Sequence, residues 1–181
     1  MKIIDHRLNN ARQNNSPNCS EREDNEVSLL VIHNISLPPG QYGGPHIDEL
    51  FCNELDCNQH EFFKELEGLK VSSHLLIRRG GEMIQYVPFN MQAWHAGISN
   101  FDGRDKCNEF SIGIELEGTD HEEFTDAQYQ ALIATTRLLL NAYPQLKEKR
   151  IVGHSDIAPE RKTDPGSCFN WQHYRESIMA E

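Results

Sequence analysis

Two histidines and one aspartate stand where a folded chain can hold a side chain in a fixed direction. His33 follows the apolar run at 29–32, His154 follows Ile-Val-Gly at 151–153, and Asp164 lies ten residues further on, before a Pro-Gly pair. Two imidazoles and a carboxylate match a zinc site with three protein ligands and a fourth position for water, whose pKa the metal lowers to about 7. The spacing contains no HExxH or CxxC signature, so histidines that merely satisfy local hydrogen bonds remain the alternative interpretation.

Hydrolysis also requires a base and a group that stabilises a developing negative oxygen. Glu115 and Glu117 lie on the polar side of a strand whose other side is apolar, and alternation along the strand does not choose between them. Lys162 is two residues before Asp164 and could reach an oxyanion, although a solvated surface lysine fits the pattern equally well. The residues alone therefore indicate a metal-dependent hydrolase whose base is undecided.

Strands and helices alternate along the chain, which indicates how these side chains are held. Apolar runs and alternation predict strands at 27–33, 71–77, 83–87, 110–116 and 151–152. An apolar stripe with a 3.6-residue period predicts one long helix, which starts with a capping box at Thr125 and Gln128 and ends before Pro144. Shorter helices are predicted at 48–52, 61–66 and 170–179. The pattern indicates an α/β (α+β) fold, with residues 1–181 forming a single domain whose mixed central β-sheet is packed by helices.

The composition suits one globular, acidic domain. The 181 residues carry a net charge of −11, which argues against nucleic acid as the main partner because phosphate binding needs a surplus of Lys and Arg. The longest apolar run is too short to cross a membrane, and the N-terminal segment has no signal-peptide pattern. Five cysteines, an odd number without CxxC spacing, indicate free thiols. We therefore expect a cytoplasmic protein without a membrane partner. Residues 1–26 are mostly polar and are expected to form an irregular lead-in.

Several short motifs follow one another in a recognisable order. They are VIHNIS at 31–36, VSSH at 71–74, AWHAG at 93–97, SIGIELEG at 111–118, and GHSDIAP at 153–159 continuing to KTDPG at 162–166. Together they resemble the N-acetylmuramoyl-L-alanine amidase type 2 family, over residues 27–175 and most closely its cytosolic branch. The resemblance implies a fold like that of type 2 amidases and peptidoglycan recognition proteins.

The resemblance also implies a role for each residue of the predicted site. Zinc would be held by His33, His154 and Asp164, where more distant relatives carry Cys in place of the aspartate. The catalytic acid/base would be Glu115 rather than Glu117. Lys162 would stabilise the tetrahedral intermediate.

Substrate-binding residues are suggested by position in the motifs. Asn34, next to a ligand, is expected to hydrogen-bond the substrate peptide. Trp94 and His95 look like part of the pocket wall, with a packed aromatic and a hydrogen-bonded histidine as an equal alternative. Lys70 and Lys106 stand where family members tend to carry Arg facing the carboxylates of the stem peptide. Lysine keeps the charge at these two positions but loses the bidentate fork.

The implied activity is zinc-dependent hydrolysis of the amide bond between (1,6-anhydro-)N-acetylmuramic acid and L-alanine. The expected substrate is a small anhydro-muropeptide met during cell-wall recycling in the cytoplasm. One rival is a non-catalytic peptidoglycan-binding module of the same fold. A second is a non-haem iron oxygenase that would use His154, Asp156 and His173. The sequence leaves the oligomeric state open.

Overall fold

A computed structural model of the chain describes residues 1–180. The strands are β1 (Ile3–Ile4), β2 (Arg7–Leu8), β3 (Arg12–Gln13), β4 (Cys19–Glu21), β5 (Leu29–Ile35), β6 (Leu75–Ile77), β7 (Met83–Gln85), β8 (Met91–Ala93), β9 (Asn100–Phe101), β10 (Arg104–Asp105), β11 (Ser111–Glu117) and β12 (Ile151–Gly153). The α-helices are α1 (His46–Phe51), α2 (Asp126–Ala142), α3 (His154–Ile157) and α4 (Trp171–Met179). Short 3-10 helices cover Glu61–Leu66, Cys107–Glu109 and Glu148–Arg150.

Six of the strands form one mixed sheet in the order β12-β5-β11-β6-β7-β3. The first four run parallel, so their carboxyl ends meet at one edge of the sheet. In this register Glu115 of β11 lies opposite His33 of β5, and Gly153 of β12 lies opposite Ile32. The next residue after Gly153 is His154, so the register brings the predicted site residues to the same edge.

An apolar core lies between one face of the sheet and the long helix α2. The helix α2 begins at the predicted capping box, in which Thr125 and Gln128 exchange side-chain and backbone hydrogen bonds. Leu132 of α2 and Ile114 of β11 belong to the same buried cluster, and each is fully buried. Burying a side chain of this size contributes roughly 1.5–3 kcal/mol. The C-terminal helix α4 adds Tyr174 to this cluster.

The predicted mixed sheet, the capped long helix and the C-terminal helix are confirmed, with boundaries shifted by a few residues. The predicted strand at 71–77 is shorter than expected, because only Leu75–Ile77 pair as a strand. Backbone hydrogen bonds still tie the preceding residues to the sheet, from the Ser72 N–H to the Trp94 carbonyl and from the His74 N–H to the Gly113 carbonyl.

The expectation of an irregular lead-in over residues 1–26 is wrong in part. This segment contains β1 to β4; β3 forms the outer edge of the main sheet beside β7, and β4 pairs with β8. Arg22 anchors the end of the segment by donating from Nη1 to the carbonyls of Asn108 (3.0 Å) and Glu109 (2.9 Å). Strands of only two or three residues are too short to show apolar alternation, so the sequence carried no strand signal here.

Candidate active site

Three side chains converge on one point at the edge of the sheet. The Nδ1 atoms of His33 and His154 are 3.0 Å apart, and Asp164 Oδ2 lies 3.0 Å from the first and 3.1 Å from the second. Within residues 1–180 this is the one group of three His, Cys, Asp or Glu side chains whose ligand atoms gather closely enough to hold a metal ion. The three predicted ligands therefore come together.

Each of these side chains is held by the end of a regular element or by a tight turn. His33 is near the carboxyl end of β5, and His154 opens α3 directly after β12. The backbone carbonyl of Asp164 accepts a hydrogen bond from the Ser155 N–H at 3.0 Å, which folds the following turn back onto α3. A Cβ at Gly153 would lie 2.8 Å from the ring of Pro165, so only glycine permits this close approach.

The donor set fits a divalent zinc ion. Burial lowers the pKa of His33 to about 4, against the opposing effect of Asp164, so this imidazole is neutral near pH 7 as a metal ligand must be. Burial would raise the pKa of Asp164, but its hydrogen bonds from His154 and His33 keep the pKa below its usual range and the group ionised. Two imidazole nitrogens and one carboxylate oxygen gathered around one point are the ligand set of a catalytic zinc site with one open position.

The second ring nitrogen, Nε2, of His33 and of His154 contacts another protein group, and these contacts orient the two rings. The Nε2 atom of His154 lies 3.1 Å from the carbonyl oxygen of Ala96. The Nε2 atom of His33 lies 2.9 Å from Nδ1 of His95, and Nε2 of His95 lies 3.1 Å from Oγ of Ser111. Metal-binding histidines are commonly oriented by such hydrogen bonds to the second ring nitrogen.

Glu115 is a buried acidic residue that lines the cleft beside the three side chains. Its Oε2 atom is buried and has no hydrogen-bond partner among residues 1–180. Burial, and next the negative charge of Asp164, raise the pKa of Glu115 well above its usual value, and the Lys162 ammonium partly opposes this. A buried, unpaired titratable group beside a cleft is a candidate for proton transfer.

Glu117, the alternative base, is fully engaged elsewhere. Its Oε1 accepts hydrogen bonds from Arg78 Nη1 and the Gly43 N–H, both at 2.7 Å, and its Oε2 accepts one from the Arg79 N–H at 3.1 Å. Glu117 does not line the cleft that contains the metal ligands. The structure therefore distinguishes Glu115, which lines the cleft, from Glu117, which does not, whereas alternation along the strand could not distinguish them.

The ligands open into a cleft of about 670 Å³. Its apolar lining includes Leu50, Phe51, Phe62, Leu66, Leu69 and Val71, and its polar lining includes Asn34, Thr119, Asp120, His121, Arg161 and Thr163. Lys162 and Trp94 also line it, and Glu115 lies at its base beside the ligands. A cleft of this size and mixed polarity suits a small amphiphilic substrate.

Three of the five predicted substrate-binding residues lie in this cleft. Asn34 donates from its side-chain amide to Asp120 Oδ1 at 2.7 Å, and Trp94 donates from Nε1 to Ser20 Oγ at 3.2 Å. His95 also lines the cleft, but both its ring nitrogens face protein partners, so the hydrogen-bonded alternative describes it better.

The structure does not bring Lys70 and Lys106 to the cleft lining. Lys70 is exposed, and the side chain of Lys106 is 77% exposed with its ammonium 3.5 Å from Glu109 Oε1. The basic residue that the sequence analysis missed is Arg161, whose Nη2 donates to the carbonyls of Ala96 (2.6 Å) and Ile98 (2.8 Å). The sequence could have pointed to Arg161 as a cleft residue through its position directly before Lys162.

The arrangement speaks against an iron site built on the His-x-Asp pair. The Asp156 carboxylate accepts a hydrogen bond from the Gly153 N–H at 2.7 Å and caps α3. The ring of His173 on α4 packs edge-on against the ring of Tyr129 on α2, with 5.2 Å between their centroids. Neither side chain belongs to the metal-binding group.

The helices and the cysteines bear on two further expectations. Every helix in residues 1–180 is too short or too polar to span a bilayer. All five cysteines are free thiols, as predicted.

A mixed sheet that presents two imidazoles, a carboxylate and a buried glutamate to one cleft defines a hydrolase with a candidate metal site. The chain belongs to the N-acetylmuramoyl-L-alanine amidase family, whose profile matches residues 23–167. It is therefore an amidase, and the predicted family and enzyme class are confirmed.

Several relatives are similar over nearly the whole chain. The 1,6-anhydro-N-acetylmuramyl-L-alanine amidase AmpD of Escherichia coli is 56% identical over 172 residues, which cover 94% of this chain and 93% of that protein. AmpD of Haemophilus influenzae is 51% identical, with 94% of each chain covered.

Solved structures agree with this relationship. A crystal structure of AmpD superposes with a TM-score of 0.96 at 52% identity, covering 98% of this chain and 99% of that one. The E. coli amidase AmiD, in complex with anhydro-N-acetylmuramic acid-L-Ala-D-γ-Glu-L-Lys, has a TM-score of 0.62 at 32% identity, covering 83% of this chain and 57% of that one.

Proposed function

We propose that the protein hydrolyses the amide bond between 1,6-anhydro-N-acetylmuramic acid, or N-acetylmuramic acid, and L-alanine in soluble muropeptides, with zinc as its cofactor. The observation that carries this proposal is the convergence of His33, His154 and Asp164 beside a buried, unpaired Glu115 in one cleft. A binding module of the same fold would have no need of an unpaired buried carboxyl group, which costs free energy of folding.

The substrate class is supported by what the relatives act on. The E. coli and H. influenzae relatives are named for 1,6-anhydro-N-acetylmuramyl-L-alanine, and the AmiD complex contains an anhydro-muramyl peptide. A cleft with both apolar and polar linings offers contacts for a sugar ring and a peptide with carboxylates. Arg161 and Lys162 supply positive charge on an otherwise acidic protein.

His33 and His154 through Nδ1, and Asp164 through Oδ2, would hold the zinc ion. When bound, zinc supplies Lewis-acid polarisation of the scissile carbonyl and lowers the pKa of water in its open coordination position. The three residues would fix where this chemistry occurs, since His33 and His154 lie at the ends of strands and Asp164 is held by a tight turn.

Glu115 would move the proton in this reaction. Burial raises its pKa, so the carboxyl group holds a proton more readily than an ordinary glutamate and can take one from the attacking water and return it to the leaving L-alanine amine. Lys162 is half-buried in the same cleft and would place its ammonium near the oxygen that becomes negative. Asn34 and Trp94 would contact the substrate from the cleft wall.

We further infer that the protein acts in cell-wall recycling in the cytoplasm. Its five cysteines are all free, which is typical of a reducing compartment. The substrates available there would be small fragments rather than the wall polymer.

The test is mass spectrometry of a defined anhydro-muropeptide incubated with the protein. We expect release of the free peptide and the sugar, loss of this release with a chelator, and recovery on addition of zinc. Intact peptidoglycan at matched bond concentration should be cleaved far more slowly. A chelator-resistant reaction would refute the role of the metal, and equal rates on the polymer would refute the proposed substrate preference.

A further inference from the structure

The two histidine ligands differ in what their second ring nitrogen meets. His154 faces the carbonyl oxygen of Ala96 at 3.1 Å. A carbonyl can only accept, so this contact places the proton of His154 on Nε2 and leaves Nδ1 free. His33 instead faces another imidazole, the Nδ1 atom of His95, at 2.9 Å.

An imidazole partner does not by itself determine the direction of the hydrogen bond. If His95 donates from Nδ1, the proton of a neutral His33 must sit on its own Nδ1, where it blocks metal binding. If His95 accepts, the proton of His33 sits on Nε2 and Nδ1 keeps its lone pair. The next contact of His95 therefore matters for the metal site.

That next contact is Oγ of Ser111, 3.1 Å from Nε2 of His95. When the hydroxyl accepts, the single proton of His95 lies on Nε2 and its Nδ1 becomes an acceptor for His33. His33 and Ser111 are buried and His95 is half-buried, and both ring nitrogens of His95 already contact these two protein groups.

The strand β11 is shaped to hold the His95 ring. A Cβ at Gly113 would lie 2.5 Å from the His95 ring, so the absence of a side chain makes room for it. Ser111 is two residues earlier on the same face of the strand. His74 lies nearby with a ring centroid 5.7 Å from that of His95, but its Nδ1 accepts from the Gly113 N–H and its Nε2 faces the Met91 carbonyl, both at 3.0 Å. His74 is thus the hydrogen-bonded core histidine, outside this chain of contacts.

We propose that His95 is a positioning residue for the metal: it accepts the Nε2 proton of His33, with its own Nε2 proton on Ser111, and so keeps Nδ1 of His33 free for ligation. This inference rests on the proposed zinc-dependent function. It gives the histidine of the Trp-His-Ala-Gly turn a role in assembling the site rather than in binding substrate.

The first experiment measures zinc affinity by competition with a chromophoric chelator. His95→Leu removes the acceptor and should weaken zinc binding by about 10- to 100-fold, the usual cost of losing such a partner. His95→Asn carries a carbonyl oxygen at the position of Nδ1 and should stay within about threefold of the unmodified protein. Ser111→Ala should lie between the two, and His173→Ala, on the exposed side of α4, serves as the matched control.

The outcomes separate the inference from the function it rests on. An unmodified protein that binds no zinc refutes both. Zinc binding by the unmodified protein together with unchanged affinity in His95→Leu refutes the positioning role alone. Because a substitution in the core can also prevent folding, nitrogen-15 NMR of the zinc-loaded unmodified protein gives a second readout. A proton on Nε2 of His95 and none on Nδ1 supports the inference, and the reverse tautomer overturns it.

Discussion

Glu115 and Glu117 lie two residues apart on β11, and both are buried, yet their surroundings are opposite. Glu117 receives three hydrogen bonds, two from backbone N–H groups and one from the Arg78 guanidinium. Oε2 of Glu115 receives none from the described residues, and Glu115 lines the cleft. One strand thus carries a carboxylate that ties the fold together and a second acidic residue that lines the cleft, which we propose to be the catalytic acid/base.

The difference shows that the partners of a buried acid decide its role more than its residue type or position in the strand. A buried carboxylate with complete hydrogen bonding stabilises one arrangement of the chain. A buried carboxyl group without partners costs stability and persists where a reaction needs its proton affinity.

The largest loss of amidase activity should come from replacing one of the three proposed metal ligands beside Glu115. His33→Ala should reduce amidase activity to background and abolish zinc binding, because two ligands cannot hold the ion at this site. Metal content by atomic emission and muropeptide cleavage are the measurements, with His173→Ala as a control that keeps both. Full zinc occupancy in His33→Ala would show that the ligand assignment is wrong.

Matched amide substitutions should separate the two glutamates in catalysis. Glu115→Gln should lower kcat by roughly 10²–10⁴-fold while zinc remains bound, as expected for loss of a general base. Glu117→Gln should leave kcat of the folded protein close to that of the unmodified enzyme. Steady-state kinetics at a fixed zinc concentration decide the matter, and a reversed pattern would assign the base to Glu117.

In the free energy of unfolding, the larger loss should come from Glu117→Gln and not from Glu115→Gln. Glu117→Gln leaves the Arg78 charge without its closest counter-ion, and we expect the free energy of unfolding to fall by on the order of 3 kcal/mol. Urea denaturation of the zinc-free proteins is the measurement. Glu115→Gln should cause no such loss, and equal destabilisation of both variants would remove the contrast.

The smallest effect concerns pH. Burial raises the folded-state pKa of Glu115 above the value of about 4.5 for an ordinary glutamate, so its stabilising contribution is complete below that value and is lost as the pH rises through the raised pKa. In the zinc-free state, Glu115→Gln should match the unmodified protein near pH 4 and exceed it by about 1–3 kcal/mol near pH 8. Unfolding curves at both pH values test this, and a pH-independent difference would contradict the sign.

Much of the fold, and the grouping of His33, His154 and Asp164, could be predicted from the sequence because each rests on a local signal. The Thr125 capping box and the apolar stripe of α2 are readable within one helix. His33 and His154 each follow a run of strand residues, and parallel strands bring such ends together whatever lies between them in the chain. The order of the motifs then identified the family.

Other features depend on contacts between distant segments, and only the tertiary structure decided them. Alternation places Glu115 and Glu117 on the same side of β11, but Arg78 and the Gly43 backbone come from other parts of the chain to satisfy one and not the other. Arg161 reaches the cleft because carbonyls of the segment after His95 hold its guanidinium there. The physical reason is common to these cases: a hydrogen-bond partner is chosen by proximity in space, which a linear pattern of residue types does not contain.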